Sequence, residues 1–303
     1  MNPDVRAAIE RGATVVTPGK RAARELSLEF GRLQLTKGQS AWRSPNVLPW
    51  RGWLNNCWQQ SLLAGGTAID YRLISDQQSR LVWEDVVRSS DVDVSLNSVE
   101  SLARMAMRTW QLQQDWCCSS KQLDGFASAP DHMAYRNWAQ AYEAACQQND
   151  WVDQAKLPEL LLAEPRHWAN QADIVFFAFT RWSPRAEQIL SAIQTAESPA
   201  STVSPGIKDA QAHRIDCADA DAELETAARW ARSRFERKAE ERIAVVVPDL
   251  ATRNEKARRV FQDVFSPHWR LDHESGAYAP VNFSYGRPLS DCGLVRTAME
   301  VLK

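Results

Sequence analysis

The side chains best suited to binding chemistry in this sequence are basic, and they lie close to its start. Residues 17–51 hold seven Lys or Arg residues and only two acidic ones. Guanidinium and ammonium groups neutralise phosphates, and an indole ring stacks on a nucleobase. The segment therefore predicts contacts with nucleic acid; the alternative is a solvated helix with ordinary ion pairs four residues apart. The candidates are Lys20, Arg21, Arg24, Trp50 and Arg51, followed far along the chain by Arg181 and Trp182.

Patterns for enzymatic chemistry are weak by comparison. A phosphate-binding loop needs G-x-x-x-x-G-K-[ST], because its backbone N–H groups cradle the phosphates while Lys and Ser or Thr reach the last phosphate and Mg²⁺. Gly19 and Lys20 are followed by Arg21, which does not fit. His268 and His273 lie beside two acidic residues, a pattern more typical of a surface loop than of a metal site. We therefore expect no catalytic residue, no metal site and no cofactor.

Composition limits the possible function classes. The net charge is −2, so any contact with DNA has to come from a local basic patch. Most of the 13 Trp residues are expected in cores, where indole rings bury a large apolar area. The six Cys residues form no C-x-x-C pair, which predicts free thiols and a cytoplasmic location. The sequence has no run of 18 apolar residues, so we expect no membrane partner.

The elements that would position the basic residues follow an α/β pattern. A short apolar strand, a Pro-Gly turn and an amphipathic helix open the chain, as in a βα unit. A continuous apolar run at 173–179 is typical of a central parallel strand. The predicted strands are 13–17, 47–48 and 173–179, and the predicted helices are 20–35, 53–63 and 184–193.

Three further regions are predicted around this unit. Residues 71–165 are almost wholly helical in pattern and start at a capping box formed by Ser75 and Gln78. Residues 197–212 are rich in Ala, Ser and Pro and predict a linker. A second α/β pattern follows from 213 to 303, with strands at 213–217 and 242–247 and helices at 220–238, 252–264 and 294–302. Its last helix stops at Lys303 without a cap, so we expect a truncated domain.

Four segments carry a resemblance to a known family. Residues 17–26, TPGKRAAREL, resemble the T-x-x-x-[KR]-A-A-x-E-[ML] segment of UvrD-like superfamily 1 helicases. Residues 47–54 fall where those helicases have a second DNA-contacting loop, and residues 242–253 resemble the strand and loop that open their second motor domain. Residues 286–290, GRPLS, are similar to a stretch of AddB-like DNA-repair proteins. The chain thus resembles an AddB-like module of the UvrD-like helicases.

The departures from that family concern its catalytic residues. The Asp and Glu of the second ATPase motif, which hold Mg²⁺ and orient water, align with Phe177 and Ala178, and neither can bind a metal. The family's Arg after the second-domain strand is replaced by a Pro-Asp turn at 248–249. Residues 236–238 fit the E-x-K of a PD-(D/E)xK nuclease, but they precede the only nearby Pro-Asp and predict a solvated helix face. Any nuclease of the AddB kind would lie beyond residue 303.

The resemblance implies two RecA-like (P-loop NTPase-like) domains with parallel sheets. Residues 1–70 and 166–196 would form the first, with 71–165 as a helical insert, and residues 213–303 would begin the second. The implied role is a non-catalytic scaffold that holds single-stranded or end DNA for a nuclease or helicase partner, with Thr17 among the residues that touch phosphates. Two alternatives remain open: a protein-interaction module without affinity for DNA, and a metal- or nucleotide-dependent enzyme with an unrecognised site.

Overall fold

The structure is a computed structural model of the 303-residue chain. It describes all residues except 91–97, 120–121, 123–129, 170–172, 197, 207–210, 240, 268–279, 285, 287–288, 290–291 and 303. The chain divides into two compact units, residues 1–208 and residues 209–303, and each is described by itself. No helix among the described residues is long and apolar enough to cross a membrane.

The first unit combines helices with short parallel strands. Its helices are α1 (Pro3–Glu10), α2 (Lys20–Thr36), α3 (Trp50–Leu63), α4 (Asp76–Arg88), α5 (Val99–Asp115), α6 (Pro130–Gln148), α7 (Leu157–Ala163) and α8 (Pro184–Thr195). Its strands are β1 (Thr14–Thr17), β2 (Val47–Pro49), β3 (Arg72–Leu73), β4 (Trp151–Val152), β5 (Ile174–Phe177) and β6 (Ala200–Val203). The helices and strands predicted for residues 13–63 and 173–193 are thus present, with bounds shifted by up to three residues.

A four-stranded parallel sheet organises this unit. Its order is β2-β1-β5-β6, and β1 and β5 form the centre. The predicted α/β class with a parallel sheet is therefore confirmed. The linker predicted at 197–212 is wrong in one respect, because Ala200–Val203 within it pairs with β5 along its whole length. Backbone hydrogen bonds to an apolar neighbour have stabilised a strand whose own residues, ASTV, show little apolar pattern.

Side chains alternate across the sheet and bury both of its faces. Val15 and Val175 pack with α1 and α2, whereas Val16, Ile174 and Phe176 pack with α3, α7 and α8. This period of two is the pleat of a β-strand. Both central strands are apolar on both faces because helices cover each side. The sheet is therefore a rigid platform from which the loops at its ends project.

The helical insert has an aromatic core of its own. Trp83, Trp110, Trp138 and Tyr142 are buried between α4, α5 and α6, and the Trp83 ring stacks on Tyr142 with centroids 4.2 Å apart. The predicted capping box at Ser75 and Gln78 is present at the start of α4. The parallel pair β3–β4 joins the two ends of the insert. The described residues of 71–165, predicted as a helical insert, are thus mostly helical, apart from these two short strands.

The second unit is helical in all of its described regular structure. Its helices are α9 (Ala220–Arg237), α10 (Leu250–Phe265) and α11 (Gly293–Val301), close to the predicted bounds. The predicted strands at 213–217 and 242–247 are wrong, because neither segment forms a strand ladder with any other residue that the structure describes. Ile243, Val245 and Val247 still pack against the small core between α9 and α10. His268 and His273 lie outside the described residues, as does most of 286–290.

Candidate nucleic-acid interface

The predicted binding residues of the first unit meet at one edge of the sheet. β1, β2 and β5 are adjacent and parallel, so their carboxyl ends lie at the same edge. Residues 18–19 leave β1, Trp50 follows β2 directly, and residues 178–183 leave β5. α2, α3 and α8 all begin there. We call this edge, with its three connections and the first turns of these helices, the carboxyl edge.

The start of α2 presents basic side chains at the carboxyl edge: Lys20 and Arg21 lie in its first turn, and Arg24 lies just after that turn. Lys20, Arg21 and Arg24 are exposed, and neither Lys20 nor Arg24 makes an ion pair with any described residue. The N-cap is Gly19, which has no side chain to accept from the first N–H groups, and the turn has no acidic residue. Cations at the positive end of a helix dipole are unfavourable by themselves. The turn is therefore arranged to attract an anion.

Thr17 is buried beneath that turn. Its hydroxyl Oγ1 lies 3.1 Å from the carbonyl oxygen of Gly19 and 3.4 Å from that of Leu48, so its hydrogen is engaged within the protein. These contacts tie the end of β1 to the end of β2 and shape the loop that carries Lys20. Direct contact between Thr17 and DNA stays a prediction.

Trp50 and Trp182 belong to one aromatic cluster. Their ring centroids are 6.1 Å apart, and Phe179 stacks on Trp182 at 4.1 Å with an interplanar angle of 9°. Trp53 and Phe176 close the cluster from the core side. All three outer rings are half-buried, so a base would meet their exposed parts rather than a freely projecting indole. The sequence did not single out Phe179, although its place three residues before Trp182 was the available signal.

The two remaining candidate arginines have partners in the helical insert. Arg51 makes a two-pronged ion pair with Asp76, with N–O distances of 2.8 and 3.0 Å. The guanidinium of Arg181 lies 5.9 Å from the ring centre of Trp116. Asp115 also lies close to this region. Burial raises the pKa of its carboxyl, and the positive charges of Arg51 and Arg185 partly offset this rise. The positive charge at the carboxyl edge is thus partly compensated by the insert.

The end of β5 carries no carboxylate. Phe177 and Ala178 occupy the two positions aligned with the acidic pair of an ATPase motif, and no described residues form a group of His, Cys, Asp and Glu able to hold a metal ion. Ala178 has a φ of 65°, a left-handed conformation that costs energy for any residue except glycine. Its N–H donates to the carbonyl of Val203 at 3.1 Å. The chain therefore turns sharply away from the sheet directly after its central strand.

Two comparisons with known proteins found no relative of this chain. Neither the scan against protein-family models nor the search of curated proteins gave a match for the chain.

Proposed function

We propose that this chain is a non-catalytic, AddB-like scaffold of DNA repair or recombination that binds single-stranded or end DNA and holds it for a nuclease or helicase partner. One observation supports the proposal above all others. Three segments chosen from the sequence as DNA-contacting, and separated by up to 165 positions between Thr17 and Trp182, lie together at the carboxyl edge of one sheet. We further propose that the sheet belongs to a RecA-like domain and that the protein is cytoplasmic.

The physical character of the carboxyl edge agrees with this function. Ligands of open parallel sheets bind outside the carboxyl ends of the strands. Lys20, Arg21 and Arg24 supply positive charge on the α2 side, and the half-buried rings of Trp50 and Trp182 supply apolar surface beside it. Phosphates would occupy the first, and bases would meet the second. A strand with exposed bases fits this arrangement better than a duplex, whose bases are stacked inside.

The non-catalytic part of the proposal rests on residue identity at the end of β5. ATP hydrolysis requires a metal ligand and a water-orienting residue near the phosphates. Phe177 and Ala178 can supply neither function. The turn between β1 and α2 has Gly19 and Lys20 but continues with Arg21, so it also lacks the hydroxyl that would contact Mg²⁺.

Binding of a labelled single-stranded oligonucleotide to the full chain tests the proposal. Fluorescence anisotropy should show binding that weakens steeply with salt and is unchanged by ATP and Mg²⁺. Lys20→Ala and Arg24→Ala should each lower affinity and reduce the slope of log K against log salt by about 0.7 to 1. Arg88→Ala is the matched control, because Arg88 is also exposed on a helix but lies at the far end of α4, paired with Asp85.

Two results would overturn the proposal. Absence of any oligonucleotide binding at low salt would remove the DNA-holding role and favour a protein-interaction module. A response to ATP, in affinity or as phosphate release, would show that the interpretation of Phe177 and Ala178 is wrong.

A further inference from the structure

Helix α5 has an apolar stripe on the side that faces away from its core. Ala103, Ala106 and Trp110 are buried against the rest of the insert. On the other side, Met105, Leu112 and Trp116 are exposed to 66%, 51% and 47%. Their spacings of seven and four residues place them in one line along a helix. Met and Trp are enriched in protein interfaces, whereas a line of such residues in water is unusual for an isolated surface.

Two oppositely charged residues border this stripe, and neither forms an ion pair with a described residue. Arg108 is exposed and Asp115 is half-buried, and neither side chain makes a hydrogen bond with any described residue. At about 100° per residue, the two side chains lie on the same border of the stripe. Met105 and Trp116 lie on the opposite border, with Leu112 between the two borders. Asp115 is therefore half-buried without an ion pair, although the charges of Arg51 and Arg185 lie close enough to oppose the rise that burial causes in its pKa.

This pattern is self-complementary under a two-fold axis. When two copies of a helix pack antiparallel about an axis perpendicular to both, each border of one copy meets the same border of the other, in reversed order. An axis near residue 111 places Arg108 opposite Asp115 of the second copy on one border. It places Met105 opposite Trp116 of the second copy on the other, where sulfur and aromatic ring attract. Leu112 then approaches Leu112 of the second copy close to the axis.

We propose that the stripe on α5 is a docking surface for a second copy of this chain, in an isologous antiparallel helix pair. The charge order selects this occupant: Arg108 and Asp115 on one chain match Asp115 and Arg108 on the other, and each ion pair forms twice. The contact rests on one helix per chain, which is at the small end of specific interfaces. The dimer is therefore weak and depends on protein concentration.

Sedimentation velocity of the full chain tests the stripe. Between about 10 and 500 µM, a range suited to a small interface, the average mass should rise from 34.2 kDa towards twice that value. Leu112→Glu should keep the chain monomeric throughout. Leu81→Glu is the matched control: Leu81 is the same residue type with the same 51% exposure, on neighbouring α4. Monomeric wild-type protein over the whole range, or equal association of the two variants, would overturn the proposal.

A charge-reversal mixture tests the antiparallel pairing itself. Arg108→Asp and Asp115→Arg should each be monomeric alone, because each homodimer would oppose like charges. An equimolar mixture should associate as wild type does, since both contacts of the mixed dimer are again opposite in charge. A mixture that stays monomeric, while circular dichroism shows both variants folded, would refute this register. Should Asp115→Arg not fold beside Arg51 and Arg185, the comparison of Leu112→Glu with Leu81→Glu decides by itself.

Discussion

Replacing Asp153 by Asn should destabilise the helical insert far more than its small change in shape suggests. Asp153 is buried, and its carboxylate accepts four hydrogen bonds. Oδ2 accepts from Trp110 Nε1 at 3.0 Å and from the Tyr142 hydroxyl at 2.9 Å. Oδ1 accepts from the backbone N–H groups of Ala155 at 3.1 Å and Lys156 at 2.8 Å. The acceptor thus fixes α5 and α6 to the segment that follows β4.

The magnitude follows from which donors lose their acceptor. If the NH₂ group of the Asn side chain faced Ala155 and Lys156, their two backbone N–H groups would lose their acceptor. The Asn oxygen must therefore face these N–H groups, and the NH₂ group must face Trp110 and Tyr142. Tyr142 can turn its hydroxyl and accept, but the indole N–H of Trp110 can only donate. One buried donor without a partner costs about 1–3 kcal/mol, and the two backbone bonds lose the strengthening of a charged acceptor. We expect a total loss of about 2–4 kcal/mol in the free energy of unfolding.

Urea unfolding followed by Trp fluorescence and circular dichroism measures this loss. Asp70→Asn, at an exposed position, is the control and should stay within about 0.5 kcal/mol of wild type. Trp110→Phe in the Asp153→Asn background removes the unpaired donor, so the double variant should be more stable than the sum of the single effects predicts. Equal unfolding midpoints for Asp153→Asn and Asp70→Asn would refute the reasoning, as would strict additivity in the double variant.

Three further changes have expected outcomes. Ala178→Gly should raise stability by about 1 kcal/mol in urea unfolding, because glycine adopts the φ of 65° without the Cβ clash. Gly66→Ala should lower stability by about 1–3 kcal/mol in the same assay, since a Cβ there would overlap the imidazole of His167. Iodoacetamide at about pH 8 should label exposed Cys292 and spare Cys146, because burial raises the pKa of the Cys146 thiol to about 11 and suppresses its thiolate.

Each of these has a direct control and a contrary result. Gly206→Ala, where an added Cβ meets nothing within 4 Å, should leave stability unchanged, and a loss equal to that of Gly66→Ala would contradict the steric argument. Lower stability of Ala178→Gly would show that the left-handed turn is not strained. Mass spectrometry reads the labelling, and full labelling should appear only after denaturation; equal rates in the native chain would contradict the burial of Cys146.

The sequence predicted elements well where local signals and tertiary packing agree. The capping box at Ser75 and the apolar run at 173–179 each predicted an element that is present. Predictions went wrong where a strand depends on a neighbour. Residues 200–203 have weak strand character yet pair with β5, whereas the apolar residues 242–247 form no ladder among the described residues. Strand formation needs a hydrogen-bonding partner, and a periodic pattern cannot say whether one is present.

The candidate site was predictable in its loops but not in its electrostatics. Topology follows from the order of strands and helices, so the meeting of the loops after β1, β2 and β5 at one edge could be expected. The ion-pair partner of Arg51 could not be predicted, because Asp76 belongs to another helix and nothing in its local sequence pattern indicates a contact with α3. The contact of the Thr17 hydroxyl with the carbonyl oxygen of Leu48 could not be predicted either, because Leu48 belongs to the neighbouring strand. Long-range contacts of single side chains are the part that sequence patterns leave open.

The centre of the sheet also sets the order in which the first unit can fold. Thr14 of β1 pairs with Ile174 of β5, so the pair that joins the two halves of the sheet waits for a segment synthesised 160 positions later. Closing so long a loop costs entropy that only a preformed insert reduces. The insert has its own aromatic core and mostly local helices, which form fast. On the ribosome we therefore expect the insert to fold first. β1 and the basic helix α2 would stay without their sheet partner until β5 has been synthesised.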